Sequence, residues 1–61
     1  MKNQEEITRV LGVVNEFNHA KYGVWVLLED VNEFVSVCEV FGLNPSGGAI
    51  DVEHGTKYFY K

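Results

Sequence analysis

Residues 22–29, YGVWVLLE, are apolar on both faces of an extended chain. The run is aromatic and β-branched and too short for a good helix, so it reads as a strand. Tyr22, Val24, Val26 and Leu28 fall on one side; Trp25 and Leu27 fall on the other. A strand with one solvated face alternates apolar with polar residues. This one does not, so it calls for cover on both sides.

A chain of 61 residues has little material for that cover. Chains of this size bury only about 60% of the surface that their unfolded forms expose. Ordering costs roughly 1.5 kcal/mol per residue, which a small core offsets narrowly. The composition, 46% hydrophobic and 13% aromatic, is not that of a disordered chain. Cys38 is the only cysteine, which excludes an internal disulfide and suits a reducing compartment. High apolar content on so short a chain predicts an oligomer or a bound partner, and a homodimer is the simplest form.

Two segments can supply helical cover. In QEEITRVLGVVNEFNHA, residues 4–20, Ile7, Val10, Leu11, Val14 and Phe17 share one face. Asn3 is a candidate N-cap, and Glu5 and Glu6 sit in the first turn, where the helix dipole favours negative charge. Gly12 lies mid-helix at a cost of about 1 kcal/mol against Ala, which is either simply tolerated or explained by close approach of another element. Lys21 and Gly23 suit its end. In DVNEFVSVCEVFGLNP, residues 30–45, helical spacing returns with Val31, Phe34, Val35, Cys38 and Phe41, widened by Val37 and Val40. Asp30 with Glu33 reads as a capping box, Gly42 fits the C′ position and Pro45 stops continuation. The many β-branched residues keep a strand reading open for part of this segment.

NPSGG, residues 44–48, reads as a loop, followed by strands Ala49–Glu53 and Thr56–Tyr60 around a turn at His54-Gly55. That turn sets Ile50 opposite Phe59, Asp51 opposite Tyr58 and Val52 opposite Lys57. Ile50, Val52 and Phe59 then face the core, with Asp51, Glu53, Thr56, Tyr58 and Tyr60 on the other side. The expected fold is α+β, one domain over residues 1–61, in the order helix-strand-helix-strand-strand. A three-stranded sheet carries both helices on one face, with a crossover through the second helix. The competing arrangement is a helical pair with a small terminal hairpin.

Little in the chain resembles catalytic chemistry. Asp51, Glu53 and His54 are close in sequence, but strand alternation separates His54 from the two carboxylates unless the turn swings it round. A metal site needs three or four ligands, and His19, the other histidine, is remote. NPSGG precedes a strand rather than a helix, so it lacks the geometry of a phosphate cradle. Cys38, on the apolar stripe, reads as a small buried hydrophobe. No catalytic residue, metal or cofactor is expected; a minimal enzyme or metal-binding protein built on this hairpin cluster is the third reading, behind two binding roles.

The formal net charge is −4, and Lys2, Arg9, Lys21, Lys57 and Lys61 are scattered, which argues against binding a nucleic-acid backbone. The start, MKNQEEITRV, has no apolar core of the signal-peptide kind, and the longest apolar run is far short of the ~20 residues of a membrane span. The expected setting is the cytoplasm, without membrane contact. Trp and Tyr are enriched where surfaces bury against partners. Trp25, Leu27, Tyr58 and Tyr60 are therefore the expected partner-binding residues of a small adaptor or inhibitor that occludes a protein surface. By size it resembles accessory proteins of bacteria and their phages. The alternative is an acidic nucleic-acid mimic that inhibits a DNA- or RNA-handling protein and presents Glu29, Asp30, Glu33 and Glu39.

Overall fold

The computed structural model describes residues 3–60, and side chains as far as Phe59. It contains α1 (Gln4–His19), β1 (Val24–Val26), a 3-10 turn (Leu28–Asp30), α2 (Val31–Val40), β2 (Pro45–Asp51) and β3 (Gly55–Tyr60). The sheet order is β1-β3-β2, and β3 pairs antiparallel with both neighbours. β1 and β2 are therefore parallel to each other, joined through α2, with β3 inserted between them. The fold is α+β in the expected order, with both helices on one face. Its extents, 28 × 27 × 15 Å, are those of one helix layer on one sheet.

Local chemistry sets the helix ends. The Asn3 side chain accepts a 2.9 Å hydrogen bond from the Glu6 backbone N–H and caps α1. α2 ends in a Schellman motif. The Gly42 N–H donates to the Glu39 carbonyl at 3.1 Å, and the Leu43 N–H donates to the Cys38 carbonyl at 2.9 Å. Gly42 holds the positive φ of 74° that this motif requires, and Leu43 and Cys38 are both buried.

The core joins Val10, Val14 and Phe17 of α1, Phe34 and Cys38 of α2, Leu43, and Val24, Val26 and Tyr58 of the sheet. Phe34 sits at its centre. Its ring meets Phe17 edge-on at 5.4 Å and meets Tyr58 at 5.1 Å between centroids.

The hairpin departs from the expected register. Asp51 pairs with Gly55, Ile50 with Thr56 and Ala49 with Lys57; after a bulge at Gly48, Gly47 pairs with Tyr58 and Ser46 with Phe59. The shift reverses the expected faces. Tyr58 points into the core at 9% exposure, whereas Ile50, Val52 and Phe59 are 76%, 91% and 39% exposed. Glycine explains why. Gly47, opposite Tyr58, would tolerate a Cβ, which would meet the Tyr58 ring at an ordinary 3.8 Å; Gly48 would not. On the opposite face, the Phe59 ring occupies the place of a Gly48 Cβ. Residues 45–48, expected as loop, are strand: Gly48 sits at the bulge and admits the Phe59 ring rather than making a turn.

Four smaller expectations change. The strand at 22–29 contracts to three residues, and Tyr22 and Leu28 are exposed. Phe41, expected on the buried stripe of α2, is 62% exposed. Gly12 meets nothing within 4 Å, so no element approaches it. Gly23 does not end a helix. Its φ is +100°, and a Cβ there would collide with the Tyr58 carbonyl of β3.

Candidate interaction surface

The sheet face turned away from the helices carries a continuous row of side chains. It begins in the β2–β3 turn. Asp51 Oδ1 accepts the Glu53 N–H at 2.8 Å and the His54 N–H at 3.4 Å, which folds residues 52–54 tightly. Gly55 follows at φ +104°, where a side chain would strike the Val26 carbonyl of β1. The turn swings His54 back, so its Nδ1 lies 3.0 Å from Asp51 Oδ2. An ionised carboxylate only accepts, so Nδ1 carries the proton of this bond. The His54 hydrogen bond, followed by the Glu53 N–H, holds the Asp51 carboxyl below its ordinary pKa.

The His54 ring lies 5.9 Å from the Trp25 ring on β1. Lys57 stands opposite Trp25 in the sheet. Its ammonium lies 5.8 Å from the Trp25 ring centre and 5.8 Å from that of Phe59. The row is thus Asp51, His54, Trp25, Lys57, Phe59. Trp25 is 41% exposed, and Leu27, one residue beyond β1, is 42% exposed.

Of the expected partner-binding residues, Trp25 and Leu27 are open to solvent. Tyr58 is core, because its pairing with Val24 puts it on the helix-covered face. Tyr60 pairs through its backbone with Pro45, and its side chain lies outside the described residues. Phe59 takes the place intended for the tyrosines. The sequence signal for it was Gly48, where the Phe59 ring lies in the place of a Cβ.

The acidic alternative loses its centre. Asp30 is buried and does not cap α2; it accepts from Arg9 instead. Glu29 is exposed and lies 3.3 Å from the same guanidinium, so one cation answers two of the four carboxylates. Glu33 is half-buried and Glu39 exposed. Among the described residues no three His, Cys, Asp or Glu side chains gather into a metal cluster, and no helix is long and apolar enough to cross a membrane. Cys38 is buried, and burial raises its thiol pKa.

A second apolar feature lies between α1 and the end of α2. Leu11, Val14, Phe41 and Leu43, with Asn15 and Asn18, line an open groove of about 330 Å³. It lacks the Trp and the paired cation of the sheet face.

No known family, curated protein or solved structure matches the chain.

Proposed function

We propose that this protein is a small binding domain, an adaptor or inhibitor, that occludes a partner protein's surface with its open sheet face. One observation carries the reading: the two helices cover one side of the sheet, and the uncovered side presents Trp25, Lys57 and Phe59 as one row with Leu27 beside it. An aromatic anchor beside a cation, on rigid strands, suits a binding hot spot. Lys57 and His54 already flank the indole, an arrangement that lowers the ordering cost of docking. The acidic-mimic reading is weaker, because Arg9 neutralises part of the array it would need.

The test is capture of a partner from lysate, identification by mass spectrometry and titration with purified variants. Trp25→Ala is expected to weaken binding by about 30-fold or more, as hot-spot losses do, and to leave the circular dichroism spectrum unchanged. Binding that ignores Trp25→Ala overturns the assignment. Binding that also collapses steeply as salt rises transfers it to the carboxylates.

A further inference from the structure

Charge is unevenly divided between the two sides of this fold. All but two of the nine carboxylates belong to α1, the 3-10 turn and α2. The exceptions, Asp51 and Glu53, lie at the β2–β3 turn, and Asp51 is already bonded to His54. Among the described cations, Arg9 is held by Glu29 and Asp30 on the helix side. Lys57 is placed differently. Its ammonium stands between the Trp25 and Phe59 rings, and among the described residues no carboxylate forms an ion pair with it. Lys21 repeats the pairing on a smaller scale, 5.5 Å from the centre of the exposed Tyr22 ring.

Desolvation selects the occupant of the row. A partner that covers Trp25 and Phe59 also strips water from Lys57, which is already half-buried. A desolvated charge is costly unless it is paired. The two rings offset part of that cost, and the rest falls to an anion that the partner supplies. Apolar groups must stand beside that anion to fill the space over Trp25, Leu27 and Phe59. A phosphate fits less well, since its recognition favours forked or clustered cations, and Asp51 at the end of the row repels a second negative charge.

We infer that the open sheet face takes an acidic peptide segment of its protein partner, in which one Asp or Glu flanked by apolar residues pairs with Lys57 between Trp25 and Phe59. This rests on the reading of that face as a binding surface and names the chemistry it selects. The net charge of −4 does not oppose it. The helix-side carboxylates lie across a molecule 15 Å thick, beyond the ~8 Å Debye length at physiological ionic strength.

The test screens a random-peptide display library against the full chain, with Trp25→Ala, Lys57→Gln and Lys57→Glu as parallel baits whose circular dichroism is checked first. Peptides selected by the wild type are expected to carry Asp or Glu beside aliphatic or aromatic residues. Lys57→Glu is expected to select Lys or Arg in that place, and Trp25→Ala to lose the binders. Trp25 is the only tryptophan, so its fluorescence follows titration with the strongest peptide and with a twin carrying the amide in place of the acid. The twin is expected to bind the wild type about fivefold more weakly, the upper range for an exposed ion pair, and both peptides to bind Lys57→Gln equally. The comparison of twins on the wild type requires no variant to fold. Binders that need Trp25 but show no preference for a carboxylate overturn this inference and leave the binding face standing. Binders indifferent to Trp25→Ala, or no binders at all, overturn both. A dimer that Trp25→Ala dissolves would give the face to a second copy, and oligothymidine bound at Trp25 would give it to a nucleic acid; either result also overturns the inference.

Discussion

Arg9 on α1 grips Asp30 at the start of α2 with two contacts of 3.0 Å each, Nε to Oδ2 and Nη2 to Oδ1. The pair is lopsided: the Arg9 side chain is 40% exposed and that of Asp30 only 5%. Removing either partner therefore has different consequences. In Asp30→Ala the guanidinium can turn to water, and the loss is about 1.5–3 kcal/mol, the range of a hydrogen bond to a charged group. In Arg9→Ala a buried carboxylate loses both charge-assisted contacts with the guanidinium. Thermal unfolding should rank Arg9→Ala below Asp30→Ala; the reverse order would mean that Asp30 finds other support.

Two glycines should respond in opposite directions to alanine. Gly12 is exposed, mid-helix and free of neighbours, so Gly12→Ala should add up to about 1 kcal/mol, a rise of roughly 4–8 °C in Tm for a domain of this size. Gly23 combines a φ of +100° with contact against the β3 backbone. Gly23→Ala should lower Tm through backbone strain of about 1–2 kcal/mol and the collision in addition. A neutral Gly23→Ala would show that the α1–β1 connection can move away from β3.

The hairpin turn should carry a small acid dependence. Asp51 has a depressed pKa in the folded protein, first through His54 and then through the Glu53 N–H. A carboxylate of this kind contributes stability above its unfolded pKa, about 3.9, and loses it as pH falls through the lower folded value. Melting curves of the wild type and Asp51→Asn should differ by a constant above pH 4 and converge below it. The difference should be small, because both side chains are largely exposed and salt screens them. A difference that grows towards low pH would contradict the assignment.

Cys38 should be unreactive until the protein opens. It is fully buried, and burial raises its thiol pKa. A thiol reagent should modify it slowly in the native state and quickly in denaturant, with the native rate following opening of the core. Equal rates would place Cys38 on the surface and turn α2 round.

The order of elements was legible in the sequence because its signals are local. Helical spacing in residues 4–20 and 30–45, the Asn3 cap and the Gly42 terminator each act within a few residues; the helices form within those segments, at Gln4–His19 and Val31–Val40, and the Asn3 cap and Gly42 terminator appear where expected. The two-sided apolar character of the first strand also foretold an uncovered face, and Trp25 and Leu27 lie exposed. The sequence did not determine which side of the hairpin enters the core. Thr56, Tyr58 and Tyr60 alternate with Lys57 and Phe59, and both sets carry an aromatic ring. A change of register transfers a whole set of side chains between faces. Here the Asp51-centred turn and the Gly48 bulge set that register. Tyr58 was then held inside by packing against Phe34, which precedes it by 24 positions in the chain. Asp30 shows the same division. Its position before a helix is a local cap signal, but a guanidinium from α1 offers a charged partner that only the packed fold brings within 3.0 Å. Pairings between distant segments depend on tertiary geometry, and those pairings chose which face of the sheet stays open to solvent.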